Sequence, residues 1–151
     1  ESEARARQLM RTHGAKRERT VHAFHAALGE AVEERDVGAA VRIVKTMKAS
    51  GVELLSGTFN MVLTCALRAG GGEAEARQVI HRMMEEGLTP TEVTLCVITS
   101  YMSSQRDGEG ALRWLRIFQS HGWPLAVGAY ASVISGFAGC GDVESAKRVF
   151  Q

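Results

Sequence analysis

Apolar residues along the chain fall three and four places apart, the spacing that lines one face of a helix, and the clusters return every 35 to 37 residues. Gly14, Gly51, Gly87 and Gly122 mark that period. Four residues before each stands a large apolar side chain, Met10, Met47, Met83 or Phe118. Eleven residues before the last three glycines stands Ala40, Ala76 or Ala111, and the alanine series continues at Ala146. Three and four places beyond each alanine come Ile43 and Val44, Val79 and Ile80, Trp114 and Leu115, and Val149 and Phe150. A second set of columns aligns Phe24, Phe59, Leu95 and Tyr130, then Ala27, Val62, Ile98 and Val133, then Leu28, Leu63, Thr99 and Ile134. Each period therefore predicts two amphipathic helices.

The polar positions punctuate the same units. Asp36, Asp107 and Asp142 stand between the two helices of a unit, where a carboxylate accepts the free N–H groups of a helix start; the middle unit has Gly70, Gly71 and Gly72 instead. The Gly14 column supplies the residue that adopts a left-handed conformation at a helix end, with Pro90 and Pro124 following in two of the turns. A helical hairpin of this size cannot bury both apolar stripes alone, so neighbours must cover them. The expected fold is all-α, an α-solenoid of stacked antiparallel helix-turn-helix repeats over residues 1–151. Its units are a partial repeat 1–19 holding a second helix over 1–13, repeats 20–55, 56–91 and 92–126, and a partial repeat 127–151. Repeats cut at both ends lead us to expect a piece of a longer array.

Composition agrees with this picture and narrows the chemistry. Two prolines against sixteen glycines suit uninterrupted helices joined by tight turns. Formal net charge is +1, so any electrostatic footprint must be local. Its clearest candidate is the start of the chain, where Arg5, Arg7, Arg11, Lys16, Arg17 and Arg19 face Glu1, Glu3 and Glu18; a solvated helix face is the favoured reading and phosphate contact the other. Cys65, Cys96 and Cys140 have neither disulfide-framework nor zinc spacing, which fits a reducing compartment. No apolar run reaches the ~18 residues of a membrane span, so membrane insertion is not expected.

Thr58-Phe59-Asn60 opening a helix, the alanine of the second helix, Met83 near its end and Gly87-Leu88-Thr89-Pro90 in the turn together resemble the pentatricopeptide repeat. The tetratricopeptide repeat, with a 34-residue period and a Trp-Leu-Gly-Tyr pattern, fits less well. The resemblance implies organellar proteins, mitochondrial or chloroplast, that bind single-stranded RNA at one base per repeat. It also implies base-reading pairs His25 with Leu55, Asn60 with Thr91, and Cys96 with Ala126. Asn60 matches a typical reader and suggests a pyrimidine, with Thr91 in the place of the usual aspartate leaving U and C open. Leu55 and Ala126 have no side-chain hydrogen-bonding group. A basic residue near the end of the first helix, placed to meet phosphate, is matched by Arg68, whereas Glu33, Ser104 and Gly139 occupy the other units.

Other chemistry finds no motif. His22 and His25 are three apart with no third metal ligand in view, and His13, His81 and His121 suit the ends of second helices. No phosphate loop, dinucleotide fingerprint, nucleophile elbow or zinc-protease sequence occurs. The expectation is thus a noncatalytic RNA-binding repeat protein without metal, cofactor or small-molecule substrate. The alternative is a scaffold subunit of an organellar ribosome, ribonucleoprotein or other large complex, held by protein contacts.

Overall fold

The computed structural model describes residues 2–149. The side chains of Ser2, Glu3, Ala6, Arg7, Leu9, Met10 and His13, and Glu1, Phe150 and Gln151 altogether, lie outside the described residues. Among the described residues the regular structure is all helical: α1 (Ser2–Glu34), α2 (Val37–Ala49), α3 (Ser56–Arg68), α4 (Glu73–Glu85), α5 (Glu92–Ser104), α6 (Gly108–His121), α7 (Val127–Gly139) and α8 (Val143–Arg148). Helices α1, α3, α5 and α7 pack on one another in sequence and form one layer. Each also packs on the helix that follows it, which builds a stack of antiparallel hairpins.

The core consists of the aligned columns. Ala40, Ala76 and Ala111 are fully buried, as are Met47 and Phe118 with Met83 close behind, and Val62, Ile98 and Val133 fill the other layer. Phe59 and Leu95 are buried, whereas Phe24 and Tyr130, in the same column of the outer units, are half-buried. The difference is positional, because an outer unit has a neighbour on one side only.

Every turn after α1 closes in the same way. Val52, Leu88 and Trp123 donate their N–H to Met47, Met83 and Phe118 carbonyls at 3.0, 3.1 and 3.0 Å, around Gly51, Gly87 and Gly122 at φ of 74°, 76° and 67°. These are Schellman closures, with the left-handed residue where glycine carries no steric penalty. Inside the hairpins the left-handed positions are Arg35, Gly70, Arg106 and Gly141. Asp36, Asp107 and Asp142 then cap α2, α6 and α8, accepting from Ala39, Gly110 and Ser145 N–H at 2.9, 2.8 and 3.0 Å. At α4 the Glu75 carboxylate accepts from Gly72 N–H at 2.8 Å. A Cβ on Gly71 would sit 2.6 Å from the Ala66 carbonyl oxygen, so this glycine is required for close approach.

The turn expected at Gly14 is not formed. Helix α1 runs unbroken for 33 residues, through residues 2–19 and into the helix of Phe24 and Leu28. The reason is local: Val52, Leu88 and Trp123 give the true turns an apolar residue to seat on the preceding helix, while Gly14 is followed by Ala15, Lys16, Arg17, Glu18 and Arg19, most of them good helix formers. His13 accordingly sits inside a helix and not at a helix end. Arg5, Arg11, Lys16, Arg17 and Arg19 are all exposed, as a solvated face requires.

Candidate nucleic-acid interface

Helices α1, α3 and α5 border an open groove of about 680 Å³ whose lining includes Val32, Asn60, Met61, Arg68, Thr91, Val93 and Val97. Two chain features put polar groups there. Asn60 lies in the first turns of α3, and Thr91 is the N-cap of α5, so the start of one first helix meets the cap of the next.

Asn60 Nδ2 donates to Thr91 Oγ1 at 3.5 Å, and Thr94 Oγ1 donates to Asn60 Oδ1 at 2.7 Å. Thr91 and Thr94 form a capping box: Thr91 N–H donates to Thr94 Oγ1 at 3.0 Å, and Thr94 N–H donates to Thr91 Oγ1 at 3.4 Å. Asn60 is 8% exposed and Thr94 1%, so the Thr94 end of the network is shielded from water while Asn60 keeps an edge in the groove.

Of the three expected reader pairs, one hydrogen bond joins Asn60 with Thr91. His25 is half-buried on α1, while Leu55, the N-cap residue of α3, is 50% exposed and offers only an apolar surface. Cys96 borders a smaller depression with Thr64, Arg68 and Ser100, and Ala126, the N-cap residue of α7, is buried without a side-chain cap. Arg68 reaches both depressions but also stands 3.5 Å from the Glu33 carboxylate. That pair is exposed and weak; it nevertheless places a negative charge beside the one matching cation.

Beneath the groove, Cys65 is fully buried and its thiol donates to the Ala31 carbonyl at 3.4 Å, tying α3 to α1. Burial pushes its pKa up, the Asp36 carboxylate adds to the rise, and Arg68 opposes it. Thr94 is the participant that reading the sequence missed. Its column partner Thr58 hinted at a helix-start role, but nothing along the chain shows that its hydroxyl reaches Asn60, 34 residues earlier.

The family model for the pentacotripeptide-repeat region of PRORP matches residues 11–151. The chain belongs to the pentatricopeptide-repeat family. A chloroplastic pentatricopeptide repeat-containing protein of Arabidopsis thaliana is 32% identical over 117 residues, 77% of this chain and 12% of that protein. The chain thus spans about an eighth of the length of that curated relative. Among solved structures, the pentatricopeptide repeat protein PPR10 from maize aligns with a TM-score of 0.64 at 25% identity, covering 82% of this chain and 17% of that one. PPR10 has also been solved in complex with an 18-nt psaJ RNA element, where the TM-score is 0.57 and the identity 23% over 75% of this chain and 16% of that one. The pentatricopeptide-repeat domain of Arabidopsis thaliana protein-only RNase P 1, solved in complex with tRNA, aligns at 0.59 and 21% identity over 85% of this chain and 67% of that one. The stacked hairpins are therefore pentatricopeptide-repeat architecture. Among the described residues, no group of three or more His, Cys, Asp or Glu could hold a metal ion, and no helix is long and apolar enough to cross a membrane.

Proposed function

We propose that the chain is a noncatalytic module that binds single-stranded RNA along the groove bordered by its first helices, within a mitochondrial or chloroplast protein. Asn60 with Thr91 is the base-reading position and Arg68 the phosphate contact. The observation that carries this reading is the joined Asn60–Thr91 pair at the edge of a groove that Arg68 also borders. The RNA complexes of PPR10 and of protein-only RNase P 1, and the chloroplastic relative, support it. His25 with Leu55 and Cys96 with Ala126 serve as apolar or weakly polar flanks.

Fluorescence anisotropy with mixed-sequence single-stranded RNA tests the reading. Asn60→Ala should weaken binding about fivefold or more, the cost of about one lost hydrogen bond. Arg68→Ala should weaken it on every sequence and flatten the salt dependence by about 0.7 in log–log slope. Absence of binding to any RNA, by this chain and by a longer protein containing it, would reject the proposal. A second reading, a scaffold subunit of an organellar ribonucleoprotein or protein complex, draws on the two unjoined reader pairs and on Glu33 beside Arg68. Sedimentation of the native protein as a free monomer would count against it.

A further inference from the structure

We infer that the cleft between α2 and α4, on the side of the stack away from the groove, docks an acidic segment of a partner protein and seats one large apolar side chain on its floor. The cleft exists because these two second helices hardly approach each other, while α3 packs against both and closes the bottom. It encloses about 300 Å³. Val41 and Val44 of α2, Val79 of α4, and Phe59 and Val62 of α3 supply its apolar surface. Lys45, Lys48, Arg82, Glu85 and Glu86 complete the lining.

The next repeat shows what leaves the floor open. The corresponding depression lies between α4 and α6, where Ile80 stands in the place of Val44, His81 in that of Lys45, Trp114 in that of Val79 and Ile117 in that of Arg82. Leu95 and Ile98, the counterparts of Phe59 and Val62, line no part of that depression, and Trp114 is 2% exposed. An indole of the chain itself thus occupies the second cleft. In the first, Val79 is too small to do so and leaves the space for a side chain brought by another molecule.

Charge selects the visitor. Lys48 holds the Glu86 carboxylate at 2.5 Å, and His81 Nε2 stands 3.2 Å from that of Glu85. Among the described residues, the exposed Lys45 and Arg82 have no ion-pair partner. Two cations on opposite helices therefore remain beside an apolar floor, the arrangement of a docking surface with an apolar centre and a charged rim. Carboxylates flanking an apolar side chain match it. Nucleic acid does not, since Phe59, the aromatic residue of the lining, is 4% exposed and offers no face on which a base could stack. The cleft shares no residue with the groove, so the inference stands or falls apart from RNA binding.

The test is selection of a random peptide library displayed on phage against the wild-type chain, with Val79→Trp as the counter-selecting chain. That substitution installs the side chain that the next repeat carries at the same position. Surviving peptides should place a large apolar residue within about two positions of Asp or Glu. Their affinity, read by fluorescence anisotropy, should fall about tenfold or more on Val79→Trp. It should fall about tenfold on the double variant Lys45→Glu, Arg82→Glu. Circular dichroism checks both variants; if Val79→Trp fails to fold, the double variant, altered only at exposed positions, takes over the counter-selection. The inference is overturned if no peptide distinguishes wild type from the counter-selecting chain, if the survivors are basic or uncharged, or if the double variant binds them as tightly as wild type. Displacement of the peptides by single-stranded RNA overturns it too, by placing RNA in the cleft.

Discussion

The step from α5–α6 to α7 and the step from α3–α4 to α5 are built from the same columns but joined by different means. At the first, glycines bring backbones together: a Cβ on Gly136 would lie 3.0 Å from Gly108 Cα, and one on Gly108 would lie 2.6 Å from the Phe137 ring. Helix α6 packs along α7 there. At the second, α5 meets α3 less extensively and α4 and α5 hardly approach each other; the Asn60, Thr91 and Thr94 side chains span the contact with hydrogen bonds. One joint is filled mainly by shape, with exposed polar contacts of Ser100 with Ser132 and Gln119 with Tyr130 at its rim, and the other carries a shielded polar network beside a groove. The difference teaches that a stack can assign holding together and presenting chemistry to separate steps, since each hairpin answers only to its neighbours.

The largest blow to this contrast should come from Phe137→Ala. Phe137 is 2% exposed, and loss of its ring should cost about 3–5 kcal/mol, read as a lowered urea midpoint by circular dichroism. Gly108→Ala should follow at about 1–3 kcal/mol, because the added methyl meets Phe137 backbone nitrogen at 2.7 Å and cannot be relieved by a side-chain rotation alone. If this variant were as stable as wild type, the glycine account of the tight joint would be wrong. Thr94→Val at the polar joint should cost less, about 1 kcal/mol for one net hydrogen bond, since the Asn60 amide borders the groove and can turn to water.

The smallest effect lies at the outer end of the tight side. Hydrogen bonds from the Ser145 hydroxyl and N–H hold the Asp142 carboxyl below the usual carboxylate range. A lowered folded-state pKa means that the cap on α8 is in force at neutral pH and above the ordinary carboxylate value. It is lost as the pH falls through the lowered one. Protection factors of the α8 amides, measured against their intrinsic exchange rates, should therefore fall in acid, and Asp142→Asn should remove that pH dependence.

Most of the architecture could be read from the sequence because its determinants are local. A capping aspartate acts on a residue three places away, and an alanine column repeats with the hairpin. Gly14 misled for an equally local reason: a glycine within a helix and one that ends it look alike until the next residue is weighed, and Ala15 offers no side chain large enough to seat where Val52, Leu88 and Trp123 do. Trp123 shows what such a seat requires, its ring lying edge-on to Phe118 at 5.1 Å. The left-handed Arg35 and Arg106 were hidden as well, since the closure of the turn, and not the residue type, imposes that conformation.

The site was legible only in part. Asn60 and Thr91 could be paired by register, and Arg68 could be named from its position in the helix. Thr94 could not be assigned, because its role depends on a partner in the preceding hairpin; nor could the nearness of Glu33 to Arg68, a fact of how α1 lies against α3.

The seven turns closed by main-chain bonds have one more consequence. Since main-chain bonds close each reversal of direction around a few residues at the turn, the path of the stack is insulated from the identity of the side chains that face the groove. Residues facing the groove can then be exchanged one at a time, as type is changed on a fixed press, while the spacing between successive positions stays the same.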